Sequence, residues 1–98
     1  MQELTRARLK ELRGEAHGLS PVVMVGQSGL SDGVLRAIED ALDAHELIKI
    51  RMLDDDRELR KEWIEQILDR SQAAKVLAVG KMLTIYRKRP KKKDRDQR

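Results

Sequence analysis

Val22-Val23-Met24-Val25-Gly26-Gln27-Ser28-Gly29-Leu30-Ser31-Asp32-Gly33-Val34 is the stretch whose reading decides the fold. Its first four residues are apolar and rich in β-branching, which predicts a strand over 22–25, buried on both faces. Gly26–Gly29 predicts a tight loop, and Ser31 or Asp32 predicts the N-cap of a helix that follows at once. In that helix Val34, Leu35, Ile38, Ala41 and Leu42 keep a helical period as far as Ala44-His45. A helix start has backbone N–H groups with no partner inside the helix, and glycine lets the backbone approach a ligand. Strand, glycine loop and helix start together can seat an anion such as a phosphate. A bare pair of glycines is weak evidence for this. An ordinary connection that needs glycine dihedrals has the same pattern, so both readings stay open at this point.

On the N-terminal side, residues 2–16 predict a helix with Leu4, Leu9, Leu12 and Ala16 on one stripe and Arg6, Arg8, Lys10 and Arg13 crowding the rest. Gly18, Ser20 and Pro21 end it. On the C-terminal side, residues 47–53 predict a second strand, with Ile48, Ile50 and Met52 on one face and Lys49 and Arg51 on the other. Asp54-Asp55-Asp56 breaks that strand and suits the start of a third helix over 57–70, whose stripe is Leu59, Trp63, Ile64, Ile67 and Leu68. Lys75–Val79 and Met82–Tyr86 read as a hairpin across Gly80-Lys81, with Val76, Leu77 and Val79 facing Leu83 and Ile85. The order is αβαβαββ, an α+β (α/β layered) class with helices packed on a sheet of four short strands.

The 98 residues allow one domain with a core of limited size. The net charge of +4 is unevenly placed: residues 87–98 hold eight Lys or Arg against two Asp, and the remaining 86 residues are slightly acidic. Residues 1–88 are therefore expected to form the domain and 89–98 a basic, disordered tail, of the kind that binds nucleic acid or keeps a protein soluble. No apolar run approaches the roughly 18 residues of a membrane helix, and no secretory leader is visible, so a cytoplasmic protein with no membrane partner is expected.

Catalytic and metal chemistry find little support. There is no cysteine, which removes thiolate zinc sites, disulfides and a cysteine nucleophile. His17 and His45 lack partners at ligand spacing, Gly80-Lys81 is not a Walker loop, and no serine sits in a nucleophile elbow. No cofactor, metal or enzymatic activity is expected. With Trp63 on an apolar stripe and Tyr86 the only other aromatic, base stacking on sheet aromatics is not expected either. Charge and backbone remain. Lys49 and Arg51 project together from one strand and are expected to form a basic strip with Lys81 and Arg87, with Arg6, Arg8 and Lys10 adding charge. The third helix carries Glu58, Glu62, Glu65 and Asp69, a face RNA should avoid.

Three blocks then carry a resemblance: Val25-Gly26-Gln27-Ser28-Gly29-Leu30-Ser31-Asp32-Gly33-Val34, His45-Glu46-Leu47-Ile48-Lys49-Ile50, and Val79-Gly80-Lys81-Met82-Leu83-Thr84-Ile85-Tyr86-Arg87. Together they resemble the chloroplast RNA splicing and ribosome maturation (CRM) domain, in its stand-alone bacterial YhbY-like form. The resemblance implies a four-stranded mixed sheet similar to the C-terminal domain of translation initiation factor three. It also implies RNA binding by Gly26, Gln27, Ser28 and Gly29, in the way a KH-type GxxG loop clamps nucleic-acid backbone. Lys49, Lys81 and Arg87 would be its basic neighbours. Gln27 and Ser28 depart from the Lys or Arg that many such loops carry. The implied role is that of a monomeric ribosome assembly factor on rRNA of the large ribosomal subunit precursor. A protein-binding adaptor that docks a basic ribosomal protein or assembly factor on the acidic third helix is the alternative.

Overall fold

A computed structural model describes residues 4–89. The elements are α1 (Arg6–Ala16), β1 (Val23–Val25), α2 (Asp32–His45), β2 (Leu47–Met52), α3 (Arg57–Ser71), β3 (Ala74–Val79) and β4 (Met82–Tyr86). The strands form one mixed sheet in the order β1-β2-β4-β3. β1 runs parallel to β2, with Val23 beside Ile50. β4 is antiparallel to both β2 and β3. The α+β class and the element order expected from the sequence are those observed.

Local chemistry sets the boundaries. Thr5 caps α1 by accepting the Arg8 amide, so the helix opens at Arg6, and the expected start at residue 2 lies outside the described residues. Ser31 caps α2 through the Val34 amide. Asp56 caps α3, its Oδ1 accepting from the amides of Glu58 and Leu59. β2 ends at Met52, one residue earlier than expected, and β3 begins one residue earlier, at Ala74.

Two cores lie on opposite faces of the sheet. On one, α2 and α3 bury Ile38, Leu42, Trp63 and Ile67 against Val23, Val25, Ile48, Ile50, Met52, Leu83 and Ile85. On the other, α1 covers only part of the sheet, burying Leu12 against Leu47, Val76 and Tyr86, with Leu4 and Leu9 alongside. This second core corrects two expectations. β1 is an edge strand buried on one face, with Met24 57% exposed, because no helix covers the other side there. Val76, Leu77 and Val79 do not meet Leu83 and Ile85, and Val79 pairs with Met82 on the open face. The β3–β4 register shifts between Lys75 and Leu77, and this bulge leaves Val76 in the α1 core while Leu77 pairs with Thr84.

The strand ends are tied across the sheet. The Leu53 amide donates to the Val25 carbonyl, and the Met52 amide to the Lys81 carbonyl. The glycine loop and the β3–β4 turn therefore share one end of the sheet. At the other end, the Arg87 amide donates to the Glu46 carbonyl.

Candidate nucleic-acid interface

Gly26–Gly29 is a turn closed by the Gly29 amide donating to the Gly26 carbonyl at 2.9 Å. Gly29 has φ +67°, a conformation that an L side chain rarely adopts, and the Ser31 amide donates back to its carbonyl. Gln27 and Ser28 are exposed at the tip, and their amides donate to no backbone carbonyl among the described residues. Two adjacent free amides form a small donor pair suited to a phosphate oxygen. Asp32 already places a negative charge in the first turn of α2. The seat therefore depends on the Gln27 and Ser28 amides more than on the helix dipole.

The loop follows Val25 at one end of the sheet, and the part of the sheet that α1 leaves uncovered begins at that end with Met24 and Arg51. Residues paired across the strands share a face, and two rows are open. One is Met24, Arg51, Met82 and Val79; the next contains Lys49, Thr84 and Leu77. None of the four strands contains an acidic residue. Among the described residues, neither Lys49 nor Arg51 has an ion pair or a side-chain hydrogen bond. Both stand outside any ion pair, on a surface that also exposes Met24 and Val79, and Glu15 of α1 lines a neighbouring hollow together with Lys49.

The structure does not gather all the expected cations here. Lys81 shares the loop's end of the sheet but is paired with Asp55. Arg87 stands at the opposite end of β2, which a six-residue strand places roughly 17 Å away. Its guanidinium is only 18% exposed and reaches Glu39 at 2.9 Å, Asp43 at 3.0 Å and the Ser71 carbonyl. The expected strip of Lys49, Arg51, Lys81 and Arg87 is therefore corrected to Lys49 and Arg51. Of the α1 cations, Arg6 and Lys10 are exposed and unpaired among the described residues. Arg8 lies over the Tyr86 ring, 5.5 Å from its centroid, and bridges to Glu11. These bonds to Glu11 and Tyr86 raise its pKa further. Arg13 donates its Nε–H to the Val76 carbonyl, fixing α1 to the bulge.

Glu58, Glu62, Glu65 and Asp69 are exposed on α3, but Arg57, Lys61 and Arg70 are exposed among them, so this helix is not uniformly acidic. The Asp54–Asp56 run is largely engaged: Asp54 accepts the Asp56 amide, Asp55 pairs with Lys81, and Asp56 caps α3. Of the expected tail, only Arg89 is described. Its amide donates to Glu46, and residues 90–98 lie outside the described residues.

A family model for the CRS1 / YhbY (CRM) domain matches residues 4–87. The chain belongs to the CRM domain family. It is 44% identical over 87 residues to a Haemophilus influenzae protein named "RNA-binding protein", covering 89% of this chain and 88% of that one. It is 38% identical over 88 residues to a Pseudomonas aeruginosa protein named "Probable RNA-binding protein", covering 90% and 85%. A Staphylococcus aureus protein solved in solution has the same architecture, with TM-score 0.77 at 29% identity over 94% of this chain and 96% of that one. The match spans the glycine loop, β2 and the β3–β4 hairpin, the three blocks that carry the resemblance in the sequence.

Sequence reasoning missed the apolar residues of this surface, Met24, Leu77, Val79 and Met82, and with them Thr84. Thr84 is 2% exposed on the open face, and its hydroxyl has no hydrogen-bond partner among the described residues. The alternation of β4 placed it opposite Ile85, but its place beside Lys49 follows from the β2–β4 pairing.

Proposed function

We propose that this protein binds RNA, acting in the cytoplasm as a monomeric assembly factor on rRNA of the large ribosomal subunit precursor. The observation that carries the reading is the placement of Lys49 and Arg51, unpaired on a sheet face whose strands carry no acid, with the free amides of Gln27 and Ser28 beyond the end of β1, the strand that pairs with β2. In this mechanism the Gly26–Gly29 loop holds one phosphate by backbone donors. Arg51 and then Lys49 follow the strand away from the loop, toward Arg6 and Lys10 on α1. Each phosphate met by a cation releases condensed counterions, so binding weakens as salt rises. The names of the family relatives support RNA as the ligand. Arg8, Lys81 and Arg87 contribute less, since each is held in an ion pair within the fold.

The test compares the full chain with Lys49→Ala/Arg51→Ala and with Gln27→Glu/Ser28→Asp on large-subunit rRNA fragments over a salt series. Removing two phosphate contacts on single-stranded RNA should lower the salt slope by about 1.4, and the loop variant should weaken binding at every salt. Unchanged affinity in both folded variants refutes this interface. Sedimentation of the tagged protein in lysate gradients tests the assembly role. Co-migration with large-subunit precursors at moderate salt supports it, and migration as free protein at low and moderate salt removes it. Docking of a basic protein on α3 is less favoured, because Arg57, Lys61 and Arg70 interrupt its acidic face.

A further inference from the structure

On the uncovered sheet face a hollow of about 240 Å³ is lined by His17, Lys49, Leu77, Val79, Met82 and Thr84. Its walls are largely apolar. Val79 is 62% exposed at its rim, and Met24, at the far end of the Met82 row, is also open. Its polar residues are few, Lys49, His17 and Thr84, and the β2–β4 pairing sets the Thr84 side chain on this face beside Lys49. Thr84 is the unusual one. A hydroxyl removed from water without a partner costs free energy, and most buried polar groups in native proteins are paired. Here the residue is 2% exposed and its Oγ1 has no protein partner among the described residues, yet it lines an open hollow.

Resting on the RNA-binding reading above, we infer that this hollow receives one unstacked nucleobase of single-stranded RNA. The base lies against Leu77, Val79 and Met82, its polar edge meets the Thr84 hydroxyl, and Lys49 holds the adjoining phosphate. The mixture of surfaces excludes a duplex as the preferred ligand. An A-form helix offers phosphates and 2′-hydroxyls but keeps its base faces stacked, so it leaves this apolar wall in water. An unpaired strand offers a base face to the wall, hydrogen-bonding edges to the hydroxyl and phosphates to the cations. The absence of acids on the strands fits a polyanion and argues against a basic peptide. The glycine loop stands at the end of the sheet where Met24 pairs with Arg51, and its Gly29 turns onto Trp63 of the opposite face.

The experiment measures binding of the full-length chain, wild type and Thr84→Val, to one RNA oligomer carrying 2-aminopurine, as a single strand and as a duplex. The urea midpoint of each protein is measured in parallel. The single strand should bind the wild type at least tenfold more tightly than the duplex, with a rise in 2-aminopurine fluorescence as the base unstacks. Thr84→Val keeps the shape and removes the hydroxyl. It should lose roughly fivefold to tenfold in single-strand affinity, lose nothing on the duplex, and unfold at a higher urea concentration. Equal single-strand affinity for the two proteins overturns the base site, as does duplex binding as tight as single-strand binding. A lower urea midpoint for Thr84→Val also overturns it, since the hydroxyl would then be satisfied within the fold. If the wild type binds neither RNA, the RNA-binding reading falls and the base site with it. If it binds RNA and Thr84→Val changes nothing, only the base site falls.

Discussion

Gly29 rests on the indole of Trp63: a Cβ built at residue 29 would lie 3.6 Å from Trp63 Nε1. The loop is thus seated directly on the main core, because Trp63 is buried between α3 and the sheet. Space is not the obstacle to a side chain at position 29, but φ +67° is. Gly29→Ala should therefore destabilise the fold by about 1–2 kcal/mol. Gly26 has no atom within 4 Å of its Cβ position and no left-handed φ, so Gly26→Ala should stay within about 0.5 kcal/mol. Urea unfolding of the two variants checks this, and equal midpoints would show that the loop imposes no backbone constraint.

The same contact supplies a reporter. Trp63 is the single tryptophan, so emission from the protein reads the environment under the loop. RNA bound at Gln27 and Ser28 should shift or quench that emission in the wild type and leave it unchanged in Gln27→Glu/Ser28→Asp. A signal of the same size in both would place the bound RNA elsewhere.

Arg87 joins β4 to α2 and to the end of α3. Arg87→Ala removes contacts to Glu39, Asp43 and the Ser71 carbonyl, leaving two carboxylates side by side. With the guanidinium mostly buried and the acids partly exposed, the loss should be roughly 2 kcal/mol. The urea midpoint should fall while RNA affinity, measured below the unfolding transition, changes less than twofold. A large loss of affinity in a stable Arg87→Ala protein would return this residue to the RNA interface.

Asp55 is held below the ordinary carboxylate value by its hydrogen bond and charge interaction with Lys81. A depressed pKa means the pair stabilises the fold fully above the unfolded carboxylate value, and that this contribution disappears as pH falls through the lowered one. In an NMR titration, Lys81→Met should raise the Asp55 midpoint toward the ordinary value. Asp55→Asn should release Lys81 for phosphate, raising RNA affinity about threefold and steepening the salt slope by about 0.7. No gain in affinity would show that Lys81 cannot reach the bound strand.

Leu12 is the centre of the smaller core, 1% exposed against Leu47, Val76 and Tyr86. Leu12→Ala should cost about 2–3 kcal/mol, and hydrogen exchange should show α1 losing protection before α2 and α3 do. Uniform loss of protection across all three helices would show that the two cores unfold as one unit.

The order of elements was legible in the sequence because each carries its own local signal. The period of Val34, Ile38, Ala41 and Leu42 marks α2, the alternation of Ile48, Ile50 and Met52 marks β2, and Gly80-Lys81 marks the hairpin. Capping was legible for the same reason, since Ser31 and Asp56 act on amides two or three residues away. The family was legible in three separated blocks, and the family match spans all of them.

What the tertiary structure decided is which neighbours each strand has. Strand order depends on contacts between residues far apart in the chain, and no local pattern encodes it. The β1-β2-β4-β3 order made β1 an edge and so exposed Met24, against the expectation of a fully buried strand. It drew Arg87 into ion pairs with α2 and set Thr84 beside Lys49. A charge or hydroxyl in a sequence is only a capacity. Whether it meets a partner within the fold or is left for a ligand depends on the three-dimensional neighbourhood, which separates Arg87 from Arg51 here.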